Sequence, residues 1–299
     1  MVMQIKSMHK RGMNMSEKRQ KRITLITNYK NNDNLEMAHG IANYFLMNGM
    51  TLFLPPDKPG FSVEECDGID FSGVDIAVVL GGDGTILTAA RCLNPYDTAI
   101  LGINMGNMGF LSQVERQDAY YALKRLLQGD YTLQHHMLLA CRVMRKGKEV
   151  ADFVALNDLV FKQGLYSRTI KFELFVDEQP VTSYQADGLI ASTPTGSTAY
   201  ALSVGGPLVM PEMELILLTP VSPHSFFSRA MIIPATSEAK VIFRSESGSA
   251  LLAGDGQVHF LLEEGDAILI TAHPKKAKMA VIEPKPFFQR VQSKILRGE

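Results

Sequence analysis

Residues 74 to 93, VDIAVVLGGDGTILTAARCL, constrain this chain more than any other stretch. VDIAVVL (74 to 80) is a continuous apolar run, the mark of a strand covered on both faces, as in parallel sheets flanked by helices. TILTAARCL (85 to 93) then has helical character, so Gly81, Gly82, Asp83, Gly84 and Thr85 join a buried strand to a helix. In open α/β sheets, ligands bind beyond the carboxyl ends of the strands, which is where this loop falls. Three glycines let backbone approach a phosphate, and the helix offers unpaired N–H groups and the positive end of its dipole to an anion. An aspartate there would repel phosphate unless it has a proton to remove or a metal to hold. Asp83 therefore reads as chemical, with a bare Asp-Gly turn as the plainer alternative.

The surrounding pattern extends the same logic. RITLIT (22 to 27), MTLFLP (50 to 55) and TAILGIN (98 to 104) read as strands, and residues 34 to 48 and 116 to 127 as helices, closed by Gly49 and Gly129, with Asn34 as the first helix's cap. The spacing predicts an α/β N-terminal domain over residues 22 to 130, Rossmann-like, with a mostly parallel sheet. Residues 131 to 273 change character to strands and turns, with one short helix at about 198 to 203, and predict a β-rich C-terminal domain. Residues 274 to 299 are expected to return to the first domain, and residues 1 to 21 read as a disordered basic leader, with Met13 or Met15 as alternative starts and a mitochondrial presequence as the rival reading.

Lys and Arg number 30 against 31 Asp and Glu, a balance that counts against nucleic acid or an anionic membrane as the main partner. No apolar stretch approaches the length of a spanning helix. Cys66, Cys92 and Cys141 are far apart in sequence and support neither a disulfide framework nor a thiolate zinc site, so a reducing, cytosolic compartment is expected.

A second informative segment is ADGLIASTPTGSTAYALSVGGP (186 to 207). Thr193, Thr195, Ser197 and Thr198 supply hydroxyls and Gly196 a permissive backbone, a set that can ring a ribose or phosphates or simply cap a helix. Neither a Walker A pattern nor G-x-G-x-x-G occurs, which excludes the usual P-loop and dehydrogenase loops.

GGDGT (81 to 85), GINMGNMGFL (102 to 111), ALND (155 to 158), DGLIASTPTGSTAY (187 to 200), GGP (205 to 207) and DGQ (255 to 257) together resemble the bacterial NAD kinase family, over roughly residues 22 to 290. GGDGT alone is shared with diacylglycerol and sphingosine kinases; its combination with STPTGSTAY is specific. The resemblance implies transfer of the γ-phosphate of ATP to the 2′-hydroxyl of the adenosine ribose of NAD, giving NADP, with a divalent metal ion, usually magnesium. It assigns Asp83 as general base, and as a metal ligand besides or instead, and Gly81, Gly82, Gly84 and Thr85 to the phosphate loop. Dinucleotide contacts carry over to Asp83, Gly84, Asn157, Asp158, Arg168, Gln185, Asp187, Thr195, Gly196, Ser197, Thr198, Ala199, Tyr200 and Gln257. Asp158 is one methylene shorter than the family's usual Glu, and Gln185 stands where some relatives carry a basic side chain, which leaves it hydrogen bonding only. Phe226, Phe227 and Ala230 depart from the family's more common Leu and Pro. A cytoplasmic homo-oligomer, dimer or tetramer, is implied, with some pocket contacts from a neighbouring subunit. The alternatives are a lipid kinase built on the same GGDGT loop and a non-catalytic NAD/NADP sensor. His135 and His136 read as surface or packing residues, His224 as structural, and the second GDG, at 254 to 256, as a hairpin tip without catalytic weight.

Overall fold

The computed structural model describes residues 21–106, 109–163, 170–224, 229–244 and 250–297. The chain opens with β1 (Arg22–Thr27) and α1 (Asn32–Met47), whose apolar stripe of Ala38, Ile41, Ala42 and Phe45 is buried. Asn31 caps α1 by accepting from the Asp33 N–H, while Asn34 is buried inside the first turn. Then come β2 (Thr51–Phe53), β3 (Phe61–Ser62), the fully buried β4 (Ile76–Leu80), α2 (Asp83–Leu93), β5 (Ala99–Asn104), β6 (Val114–Glu115), α3 (Ala119–Gln128) and β7 (Thr132–His136). Gly129 ends α3 in the left-handed region at φ 75°, where a side chain would be strained.

The middle of the chain is nearly all strand: β8 (Leu139–Arg145), β9 (Lys148–Ala155), β10 (Asp158–Gln163), β11 (Ile170–Val176), β12 (Gln179–Ala186) and β13 (Gly188–Ser192), then one turn of helix, α4 (Tyr200–Ser203). There follow β14 (Leu215–Val221), β15 (Met231–Pro234), β16 (Ala239–Arg244), β17 (Ala250–Gly254), β18 (Val258–Leu262) and β19 (Ala267–Ala272), and the chain closes with β20 (Ala277–Val281) and α5 (Phe287–Arg297).

One sheet runs β2-β1-β4-β5-β20-β7, with β3 on β1 and β6 on β5; every pairing in it is parallel except β20 with β7. The chain leaves β1 for β2 on one side and returns to β4 on the other, so the sheet has its switch point between β1 and β4, and GGDGT follows β4 directly. Two antiparallel six-stranded sheets, β15-β14-β13-β10-β17-β18 and β12-β11-β16-β19-β8-β9, face each other over a core of Leu139, Val143, Phe161, Phe172, Ile216, Phe243 and Ile268. A mostly parallel α/β sheet followed by a β-rich half is the fold class the sequence predicts. A further core, with Ile86, Ala90 and Leu93 of α2 against Val79, also takes in Leu138 and Leu156, so α2 is packed from both halves.

The cysteine reading is corrected. Cys66 and Cys92 form a disulfide, with Cα atoms 6.1 Å apart, and Cys141 is the buried free thiol. A sequence separation of 26 conceals the pairing, because the turn after β3 folds back over the last turn of α2, where Arg91 also meets Asp67 at 2.6 Å.

Candidate functional site

α2 begins at Asp83 itself, two residues ahead of the expected start, with Gly82 as its N-cap and no side-chain cap. The acid therefore stands at the positive end of the helix dipole, in the first turn. The Asp83 carboxylate is anchored by the loop after β5: Oδ2 accepts from the Phe110 N–H at 2.7 Å, and Oδ1 from the Leu111 and Ser112 N–H groups at 3.1 and 3.3 Å. An ionised carboxylate has about four lone-pair sites. Among the described residues three are filled, two on Oδ1 and one on Oδ2, and the one without a donor is on Oδ2. Gly109 is required for this arrangement, since a Cβ there would overlap the Asp83 carboxylate.

Facing Asp83, β13 runs into the turn Thr195–Thr198. Thr193 Oγ1 donates to the Leu156 carbonyl at 2.6 Å and accepts from the Gly196 N–H at 3.0 Å. Gly196 lies on the Asn157 backbone so closely that a Cβ would overlap the Asn157 carbonyl oxygen. The Ser197 hydroxyl is wholly buried, donating to the Pro194 carbonyl at 2.7 Å and accepting from the Val209 N–H at 3.0 Å. Thr195 Oγ1 sits 2.9 Å from His136 Nδ1. His136 is itself buried, and burial first, then Arg290 and His135, push its imidazole down to about 4, so the ring is neutral at physiological pH. The packing reading of His136 thus becomes a specific contact with the hydroxyl-rich turn.

Beneath that turn, the second GDG earns a structural task. Asp255, at φ 50°, accepts from the N–H groups of Leu156, Asn157 and Asp158 at 2.9, 2.8 and 3.1 Å. Burial, then Asp255, raise the Asp158 carboxyl to about 7, while its contact with the Tyr200 N–H works the other way. Burial likewise raises Asp255, against the pull of its three amides.

The two walls enclose a cavity of about 410 Å³, within the range of small-ligand sites. Of the residues singled out from the sequence, Asp83, Asn157, Thr195, Thr198 and Ala199 line it. Phe110, Leu111, Leu202 and Lys294 complete the lining. Gln257 spends both ends of its amide on α2, donating to the Gly84 carbonyl at 2.7 Å and accepting from Thr88 Oγ1 at 2.7 Å. Gln185 and Tyr200 are exposed and Asp187 half-buried, all three apart from the cavity lining. Arg168, Phe226 and Phe227 lie outside the described residues; His224 is described, and its N–H donates to the Gln185 carbonyl at 2.8 Å. Lys294 was not singled out from the sequence, and His136 was read there only as a surface or packing residue. The signal for Lys294 was its four-residue spacing from Arg290, which puts both on one face of a helix after Pro286.

Asp83 thus shares one cleft with the hydroxyl-rich turn, lined from the parallel sheet's side and from the antiparallel sheets' side, the layout of a ligand-binding protein whose site lies between two halves. Residues 3–131 match the ATP-NAD kinase N-terminal domain and residues 156–282 the ATP-NAD kinase C-terminal domain. The chain is 36% identical over 283 residues to an NAD kinase of Moorella thermoacetica, covering 93% of this chain and 90% of that one. It is 40% identical over 222 residues to an NAD kinase of Carboxydothermus hydrogenoformans, covering 74% and 79%. The fold resembles the crystal structure of a yeast NADH kinase complexed with NADH (TM-score 0.80, 22% identity, 93% of this chain and 87% of that one). It also resembles an NAD kinase from Archaeoglobus fulgidus in complex with ATP (TM-score 0.72, 24% identity, 92% and 98%). The chain belongs to the ATP-NAD kinase family.

Proposed function

We propose that this chain is an NAD kinase that joins the γ-phosphoryl group of ATP to the 2′-oxygen of the adenosine ribose of NAD, releasing ADP and NADP. The reading rests above all on the single open lone pair of Asp83 Oδ2 in the cleft between the two halves. A ribose hydroxyl is a poor nucleophile at neutral pH. As the bond from O2′ to the γ-phosphorus forms and the bond from that phosphorus to its bridging oxygen breaks, the hydroxyl proton passes to Asp83 Oδ2. Three amides hold the acceptor still while the reaction proceeds, so little reorganisation is left to pay for at the moment of transfer.

The remaining contacts follow as part of the same proposal. Asn157, Thr195 and Thr198 offer hydrogen bonds to the dinucleotide, His136 fixes Thr195, and Asp255 fixes the backbone at Asn157. Ser197, Gly196 and Gln257 act by shaping the turn and joining it to α2. A divalent cation held in the mode magnesium prefers, by one carboxylate plus the donor's phosphates, would take Asp83 as its carboxylate; with one acceptor position of Asp83 open, that role is the alternative to accepting the ribose proton. Such an ion supplies charge neutralisation at the transferring phosphoryl group. Assembly into dimers or tetramers and a cytoplasmic location complete the reading, the location now resting on the family alone, since the paired Cys66 and Cys92 withdraw the cysteine argument for it; no helix among the described residues is long and apolar enough to cross a membrane.

Family membership weighs against the lipid kinase and the silent sensor. The test is incubation with ATP, magnesium and NAD, with NADP detected by a coupled dehydrogenase and diacylglycerol substituted for NAD in a parallel reaction. NADP from the first and no phosphorylated lipid from the second is expected; the reverse pattern, or binding without product, removes the reading.

A further inference from the structure

Phosphoryl transfer gathers negative charge on the donor, and the glycine loop answers it only with amide dipoles. The sequence has no Walker A lysine, and GGDGT itself carries no cation. Among the residues lining the cleft with Asp83, one is cationic: Lys294, on the helix that ends the chain. Its ammonium lies 4.3 Å from the centroid of the Phe110 ring and forms no ion pair among the described residues. One turn earlier Arg290 donates from Nη1 to the Phe110 carbonyl at 3.3 Å, which ties the helix to the same residue whose N–H holds Asp83. A small adjoining cavity is bordered by Lys285, Arg290 and Lys294 beside Gly109 and Ser112, so three cations converge on the loop that anchors the acid.

A cation resting on an aromatic face, half-shielded and with no carboxylate partner among the described residues, has no ion pair to break when an anion arrives. We infer that Lys294 contacts the phosphate chain of the ATP donor, so that α5 supplies the positive charge that P-loop kinases place beside their glycine loops. The inference rests on the NAD kinase reading. Two phosphate sources could meet this ammonium, the donor's triphosphate and the dinucleotide's pyrophosphate; the donor is favoured because Lys294 shares the cleft with Asp83, beside which the ribose oxygen receives the γ-phosphoryl group.

The experiment compares the full-length wild type with Lys294→Met and Lys294→Arg. It measures kcat, KM for ATP, Kd for a nonhydrolysable ATP analogue with magnesium, and Kd for NAD alone. Loss of a charge-assisted contact predicts ATP KM and analogue Kd raised on the order of ten- to a hundredfold in Lys294→Met, NAD Kd within about twofold, and partial recovery in Lys294→Arg. Unchanged ATP parameters, or an NAD Kd weakened as much as that for the analogue, overturn the assignment. Thermal melts check folding, and Lys294→Gln takes the place of a Lys294→Met chain that fails to fold. If the wild type makes no NADP, the underlying reading fails instead, while analogue binding still decides the role of Lys294.

Discussion

At the residue scale, side chains that look alike in the sequence divide by what they touch. Ser197 and Thr195 stand two apart in one hydroxyl-rich run, yet the first is sealed among Pro194 and Val209 while the second borders the cleft. Ser197→Ala is therefore expected to leave the Val209 N–H unpaired and cost about 1–3 kcal/mol in urea melts, with NAD affinity little changed. An affinity loss without a stability loss would place Ser197 in the cleft instead. Two buried ionisable groups, Asp158 and His136, give a second prediction. Asp158 is raised from 3.8 to about 7, so the folded chain keeps a proton that the unfolded chain releases, and stability falls as pH rises through that window. His136 is lowered from 6.5 to about 4, so its contribution is lost as pH falls through its own window. The two slopes oppose each other in the wild type. Relative to it, Asp158→Asn is expected to gain more stability between about pH 5 and about pH 7, and His136→Gln to gain less. Melts at the two pH values check this, and a shift of both variants in the same direction contradicts it.

At the element scale, the unit that matters is α2 with the loop after β5. The apolar run before the glycines and the helical period after them made the strand, the loop and the helix legible. The embrace of Asp83 by the amides of Phe110, Leu111 and Ser112 was not legible, because those residues lie 27 to 29 positions away and meet it only once β4 and β5 pair in parallel. The disulfide escaped for the same reason. Backbone donors carry no side-chain signature, so a motif such as GINMGNMGFL signals family likeness without showing which of its atoms work. Gly109→Ala tests the embrace: the new Cβ displaces the carboxylate, and turnover is expected to fall at least about tenfold with a stability loss of about 1–3 kcal/mol. Wild-type turnover in Gly109→Ala would show that the anchored position is not the working one. Thiol titration of the denatured, unreduced chain is expected to find one free thiol, Cys141, and three after reduction. Three before reduction would remove the bridge at the end of α2.

At the scale of the whole molecule, the cleft exists because the chain crosses between its halves more than once. β20 returns from the antiparallel sheets to pair with β5 and β7, and α5 then brings Lys294 to the cleft opened by α2 and the turn at Thr195. The fold class was readable from the change in periodicity near residue 131, but this last crossing supplies a cation that no motif announces. Assembly belongs to this scale too. Light scattering is expected to report a dimer or tetramer, with specific activity falling on dilution; a fully active monomer contradicts shared contacts. The central claim remains the open lone pair of Asp83. The measurement that tests it most directly is kcat for NADP formation by Asp83→Asn beside its Kd for NAD. The account predicts a fall of roughly 10² to 10⁴ in kcat with the fold and NAD binding largely kept, and turnover near that of the wild type would contradict it.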